Sequence, residues 1–484
     1  MRKRALADPF SRERSQDEWS VQLPPSAGLN FPALIHDFPS YVPYSVRRDW
    51  PNLPSVLIDD IAGRLLGYDV AEYLRLRSAC REWRACTVDP REGGSDLDSR
   101  FRPRNWIMLS SSQGVRRQFI NTSTGACAQI DLPELSGHHL ETYTEGLLLL
   151  RDEASDAVRL LNPLTRALTD LPPITVDLGS TYVAWKANDE SLARFIYAGI
   201  SDETSPATVV LFMCGTVCSI AYAKPGDERW ALMDKECWKS LPTQRSRSHG
   251  QLLNIIRYVS VLTMEGCIYL STLDGNILKV SIHPKPRLVP VVVNQPFDLL
   301  PSDVISYLLP ANNNNSTMLM VRYYQTLQHL SLAEQRNMKR RKDVIKVQIN
   351  DTIRRYSWHL IQVFQVNLAN KTLVPVVDIG HRALFIGDVA CLSISTKRFP
   401  SVAGNAVYLG VNSSCSTSFG VRYLLDKRID PPFQFVLGDE KEPFHFRRCG
   451  LKQDKKIVPL ARPFTLQEYL VCYTGIKGGI RDLS

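Results

Sequence analysis

Few residues of this chain are placed to do chemistry. His138 and His139 are adjacent in LSGHHLETY, and a metal could use both rings only if they faced the same way. Neighbouring side chains on a strand point to opposite faces, so an exposed loop is the expected setting. His359 follows Trp358 in an apolar run and reads as a satisfied core histidine, and His381, before ALFIG, reads as a turn residue. Asp59 and Asp60 could act as paired carboxylates, but consecutive helix positions diverge and compensation of a helix dipole explains them. Cys214 and Cys218 have three residues between them in an apolar run, which is not zinc-knuckle spacing. Trp185, Trp230, Trp238 and Trp358 read as packing residues rather than a ligand cage. GxSxG, HExxH, P-loop, GxGxxG and EF-hand patterns are absent. No catalytic residue, metal ligand or cofactor is assigned, and the chain is expected not to be an enzyme.

The elements that could position a binding surface are clearer. Residues 53–84, LPSVLIDDIAGRLLGYDVAEYLRLRSACREWR, read as three short helices. Pro54 suits the first turn of a helix, where its missing N–H costs nothing. Leu57, Ile61 and Leu65 recur at i, i+4 and i+8, with Ile58, Ala62 and Leu66 widening the apolar stripe. Gly67 is expected to stop this helix in a left-handed turn. Asp69 and Glu72 have capping-box spacing for a second helix carrying Val70, Tyr73, Leu74 and Leu76. Ser78 is expected to open a third, with Cys80 and Trp83 at its end. So short a module carries more apolar surface than it can bury alone, and needs the rest of the chain or a partner.

Leu53-Pro54, Leu57, Ile61, Leu65, Leu74-x-Leu76, Cys80 and Trp83-Arg84 together resemble an F-box. The resemblance implies docking onto a Skp-type adaptor, and through it a cullin, by Leu53, Pro54, Leu57, Ile61, Leu65, Leu74, Leu76, Cys80 and Trp83. Val56 stands where that family often has an acidic residue, and Ala79 where it usually has valine.

The remaining composition is that of a folded protein. Hydrophobic residues at 44% and charged residues at 22% supply a core without a disordered excess of charge. Lysine and arginine number 58 against 49 acidic residues, a net +9 that permits nucleic-acid contact without requiring it. Eleven dispersed cysteines without a CxxC pair fit reduced thiols in the cytosol or nucleus. The start, MRKRALADPFSRERSQDEWS, lacks an apolar core for secretion. The uncharged run ATVVLFMCGTVCSIAYA, 207–223, is short for a bilayer span and reads as a buried hairpin turning at Gly215-Thr216. Sequons such as those at Asn121 and Asn412 are expected to be unused.

From Trp106 onward, short apolar runs alternate with Asn, Gly, Pro and Asp clusters, the texture of an all-β domain of many short strands. FINTSTGACAQIDLP (119–133) and RLLNPLTRALTDLPP (159–173) share a strand, an Asn-led turn, a second strand and a closing Leu-Pro. The spacing between Asn121 and Asn162 is close to one propeller blade. FQVNLANKTLVPVVDIG (364–380) repeats the hairpin, and 220–233 and 266–280 add others, the latter through Asp274-Gly275. Asparagine and glycine suit such turns because they tolerate positive φ. A closed ring of small sheets would leave few exposed edges, so a propeller-like domain of undetermined blade number is expected.

Lys224-Pro225-Gly226-Asp227 with Trp230, HRALFIGDVACLSISTKRFPSVAGNAVYLG (381–410) and FTLQEYLVCY (464–473) resemble plant F-box proteins with a C-terminal KIB-type β-propeller. Ser401–Asn405 replaces the Cys-containing Gly-rich turn of that group. Between the late blades stand ANNNNST (311–317) and a basic cluster, Arg336 with Lys339, Arg340, Arg341 and Lys342. That cluster reads as a solvated loop because Asp343 and Asp351 interrupt it; a nuclear localisation signal at Lys339–Lys342 is the alternative.

The expected fold class is therefore α+β and multidomain, a small N-terminal three-helix F-box followed by a large all-β propeller-like domain. Residues 1–48 form a flexible lead-in, 49–88 the F-box, 89–104 a linker, 105–475 the propeller with polar loops near 311–317 and 334–355, and 476–484 a tail. The expected function is substrate recognition in an SCF-type E3 ubiquitin ligase, the F-box holding the adaptor and the propeller an unidentified protein target. The chain would sit in the nucleus or cytoplasm, without membrane or nucleic-acid partners. The alternative is an F-box-bearing regulatory protein outside a ligase, nuclear and nucleic-acid associated.

Overall fold

The computed structural model describes residues within 50–475, apart from 175–194, 294–303, 325–344, 348–356, 410–419, 438–456 and several shorter loop stretches. The N-terminal lead-in, the Asn-rich loop and the basic cluster at Lys339–Lys342 lie outside the described residues.

Three helices open the described chain: α1 (Ser55–Tyr68), α2 (Val70–Ala79) and α3 (Arg81–Ala85). Their ends differ from the sequence expectation. Pro54 is the residue before α1 rather than its first member, so Asp59 and Asp60 fall in the second turn, beyond the strongest dipole effect. Gly67 stays helical, and the chain leaves α1 through Asp69 in extended backbone. Asp69 then caps α2 by accepting the Ala71 N–H, while the Glu72 side chain turns to Arg75 rather than back to the cap. The third helix begins after Cys80, so Ser78 belongs to α2. Ile58 and Ala62 bury one face of α1, and Ala62, Tyr73 and Leu76 pack with Phe101. The Arg77 guanidinium donates to the carbonyls of Thr87 and Val88 and pairs with Asp89, fixing the chain after α3.

Six sheets of three to five strands follow. The first blade holds Trp106–Met108, Arg116–Asn121 and Cys127–Asp131. The second runs from His138–Thr144 to Leu168–Leu171, the third from Phe195–Ser201 to Ala231–Leu232, and the fourth from Tyr258–Met264 to Arg287–Val292. The fifth spans Val304–Pro310 to Thr372–Val376, and the sixth Arg382–Ile386 to Ile429–Asp430. The sixth contains one parallel pair, Arg382–Ile386 beside Ala406–Leu409. Hairpins expected at 207–223, 220–233 and 266–280 are present. Trp230 is a packing residue, buried with its indole donating to the Pro172 carbonyl.

Alternation explains both the runs of apolar residues and the ring. In the second blade Leu148 and Leu150 face Trp106 and Phe119 of the first, while Leu147 and Leu149 face Val209 and Leu211 of the third. Val210 and Phe212 in turn meet Ile268 and Leu270 of the fourth. A sheet covered on both faces needs apolar residues at every position, so its strands read as continuous runs. Similar layers join the fourth blade to the fifth and the fifth to the sixth. A last layer closes the circle, Ala383, Phe385 and Tyr408 of the sixth packing on Ile107 and Ile120 of the first. The C-terminal helix, Leu466–Gly475, seals this seam with Leu470 and Val471. The molecule is a six-bladed β-propeller preceded by three helices.

The repeated turn has one design. Asn121, Asp152 and Asn162 each accept two backbone N–H groups of the residues two and three positions on. Positive φ falls four positions later, at Gly125 (78°), Asp156 (56°) and Arg166 (59°). Asparagine is therefore selected here for its accepting oxygen rather than for tolerance of positive φ. Asn367 repeats the plan, with Lys371 at 56°.

Candidate functional site

Helix α1 presents an apolar stripe to solvent. Leu57 is 50% and Ile61 40% exposed, and Val56 beside them 77%. Leu53 and Leu65 are half-buried at its margins, and Pro54 is exposed. The remaining residues assigned from the F-box resemblance sit elsewhere. Leu76 is buried in the core of the helices, and Trp83 packs partly against that core. Leu74 and Cys80 are half-buried. The Cys80 thiol lies 2.8 Å from Glu82, and this hydrogen bond holds the Glu82 carboxyl below its ordinary value. The structure thus brings Leu57 and Ile61 together on one open face and turns Leu76 inward. Val56, whose position reads as a departure from the F-box pattern, is exposed as well but lies about 100° around the helix from Leu57, at the edge of the open face.

The opposite side of the helices is fastened to the propeller. Asp69, 9% exposed, accepts the Trp106 indole N–H at 2.8 Å and the Asn121 amide at 3.0 Å, both from the first blade. The segment between helices and blades is held as firmly. Arg91 donates to the Thr165 carbonyl, and the Asn162 amide to the Phe101 carbonyl. Arg102, 4% exposed, pairs with Glu145 of the second blade and Asp202 of the third. Burial opposes its charge, but these two carboxylates outweigh that and raise its pKa. Residues 91, 92 and 97–104 therefore form a strap anchored to the blades through Arg91, Phe101 and Arg102.

On the propeller axis lies a cavity of about 180 Å³ touched by all six blades and the C-terminal helix. Tyr143 and Tyr473 meet there at 5.3 Å between ring centroids. Burial pushes both phenols up, so they remain protonated donors. Arg104 and Glu145 at its wall are paired at 2.8 Å. The cavity depends on residues from distant strands, which no local pattern in the sequence brings together.

The expected histidine settings are met in part. His381 is an exposed turn residue. His138 and His139 lie on the first strand of the second blade rather than in a loop, near Asp152 and Glu153 respectively. His359 falls on a strand whose side chain is outside the described residues, as is Trp358; Trp185 and Trp238 lie outside them altogether. Among the described residues no group of three or more His, Cys, Asp or Glu is placed to hold a metal. Among them, too, no helix is long and apolar enough to cross a membrane.

No curated protein matches the chain in sequence. Solved structures resemble it only distantly. A Bacteroides caccae protein of unknown function has 10% identity and a TM-score of 0.26, covering 56% of this chain and 72% of that one. The extracellular domain of a hybrid two-component system from B. thetaiotaomicron has 11% identity and a TM-score of 0.24, covering 45% of this chain, which spans 24% of that one. The Cps50 (Swd1) β-propeller domain of Myceliophteria thermophila has 9% identity and a TM-score of 0.25, covering 58% and 76%. The profile of the KIB1-4 beta-propeller matches residues 119–422, from the second strand of the first blade into the sixth. A propeller of this kind is a protein-interaction module, and the chain belongs to the KIB1-4 beta-propeller family.

Proposed function

We propose that the chain is the substrate-recognition subunit of an SCF-type E3 ubiquitin ligase. In this reading helices α1–α3 form an F-box that binds a Skp-type adaptor, and the propeller binds a target protein. The chain does no chemistry itself and works by raising the effective concentration of the target near the ligase. The observation that carries the reading is the exposed stripe of Leu57 and Ile61, with Val56 exposed beside it, on a helix that buries Ile58 and Ala62 in its own core. An apolar stripe left open in this way favours a partner surface. Leu53 and Leu65 extend it, while Leu76 supports it from inside. The strap and the Asp69 contacts would hold such an adaptor at a fixed position relative to the blades.

Adaptor binding to the full chain should fall more than about tenfold in Leu57→Asp/Ile61→Asp, since burying each side chain contributes about 1.5–3 kcal/mol. Leu168→Asp, at an exposed position on the outer strand of the second blade, serves as the control. Equal adaptor capture by the double variant and the control would overturn the assignment.

A further inference from the structure

The axial cavity holds more unspent hydrogen-bonding capacity than a packing defect would. Most hydroxyls around it already have internal partners. Thr122 donates to the Asn105 carbonyl, Tyr197 to the Val259 carbonyl, and Ser393 accepts from Arg382. Thr142 and Thr144 differ. Both line the cavity, they are only 4% and 6% exposed, and neither hydroxyl has a hydrogen-bond partner among the described residues. They are two apart on one strand and so project to the same side. The phenols of Tyr143 and Tyr473 line the same space and likewise have no partner among the described residues. These hydroxyls open onto the cavity rather than being sealed in the core, so their donor and acceptor capacity is available to an occupant.

Size and charge narrow what that occupant can be. A volume of about 180 Å³ is far above the ~10–15 Å³ that one water requires, and below the ~300–1,000 Å³ of drug-sized pockets. The charged residues of the lining are Arg104 and Glu145; Glu145 is shared with Arg102, whose other partner is Asp202, so two arginines and two carboxylates balance. No surplus charge is left to select a phosphate or a carboxylate. Hydroxyls both donate and accept, and the tilted rings of Tyr143 and Tyr473 offer apolar surface beside them, the combination that suits a ring bearing hydroxyl groups.

We propose that the axial cavity binds a small neutral polyhydroxylated molecule of monosaccharide size, held by the hydroxyls of Thr142 and Thr144 and flanked by Tyr143 and Tyr473. The site touches all six blades and the C-terminal helix, so its occupant would tie the ring together from within. This goes beyond adaptor docking and does not depend on it, because the α1 stripe and the cavity share no residue.

The test uses the full chain and ligand-observed saturation-transfer NMR with myo-inositol and D-glucose, and inositol hexakisphosphate as a charged comparison. Saturable transfer to at least one neutral polyol is expected, together with a concentration-dependent rise in the melting temperature of the same sample. Thr142→Val and Thr144→Val, tested separately, should each weaken that binding about fivefold while preserving side-chain shape. Competition by inositol hexakisphosphate should be absent. The proposal is overturned if neither polyol gives saturable transfer, which would make the cavity a water-filled channel. It is overturned equally if both valine variants bind as the parent does, or if only the hexakisphosphate binds.

Discussion

Replacing Asp69 by alanine tests whether the helices and the propeller are joined as one cooperative unit. The carboxylate makes three bonds at once: it caps α2 at Ala71, and it accepts from Trp106 and Asn121 of the first blade. Loss of the cap alone costs about 0.5–2 kcal/mol. Trp106 is 2% and Asn121 1% exposed, so water cannot replace the missing acceptor for either. Each orphaned donor adds about 1–3 kcal/mol. The expected total is about 2.5–8 kcal/mol, read as a fall in urea midpoint of the full chain with unchanged slope. Asp69→Asn keeps an acceptor for the cap or the indole but sets an amide N–H2 against that of Asn121, so about 1–3 kcal/mol should be lost. Hydrogen exchange gives a second readout, since α2 amides in Asp69→Ala should exchange ahead of the blades. A loss below about 1 kcal/mol with unchanged α2 protection would refute the joint, because both donors would then have found other partners.

Three further outcomes follow from the geometry. Gly146→Ala should lower the urea midpoint severely, by about 3 kcal/mol or more, because at φ +81° its Cβ would sit 2.0 Å from the Pro103 carbonyl oxygen. Val471→Asp, at a position with no exposure in the seam between the sixth and first blades, should cost about 4 kcal/mol or more in the same assay. Glu203 should confer acid sensitivity: burial alone would raise its pKa, but the backbone N–H groups of His283 and Ile282, with Lys279, hold it below the ordinary 4.5. Its contribution is therefore full above that value and lost as pH falls through the lower folded value, and Glu203→Gln should flatten the fall in stability between pH ~6 and ~3.

Much of this architecture was legible because it is local. The Asn121 and Asn162 turns, the pairing of Cys267–Thr272 with Ile277–Ser281 and that of Thr208–Cys214 with Ser219–Ala223 are each specified by a few neighbouring residues. Helix ends were less legible. Gly67 can stop a helix, yet Asp69 wins because its carboxylate is needed by Trp106 and Asn121, partners that lie far along the chain. His138 and His139 read as a loop from local polarity, whereas pairing with Arg151 and Asp152 draws them into a strand. The blade number rests on six inter-blade layers, and a layer is written in residues contributed by separate sheets. The α1 stripe was visible as periodicity, but which of its members face solvent depends on how Ile58 and Ala62 pack. The axial cavity had no sequence signal, since Thr142, Thr144 and Tyr473 meet only when the ring closes.

The seam between the last blade and the first has a mechanical consequence. Among the described residues, no sheet contains strands from both ends of the chain: the first blade's strands end at Asp131 and the sixth's begin at Arg382. Among the described residues the two are joined by side-chain packing and the C-terminal helix, with no ladder of backbone hydrogen bonds across the line. Tension applied to the C-terminus would therefore peel Leu470 and Val471 away first and then part the ring like a zip, one layer at a time. Under load the expected first event is parting of this seam, ahead of the blades held by their own hydrogen-bonded strands.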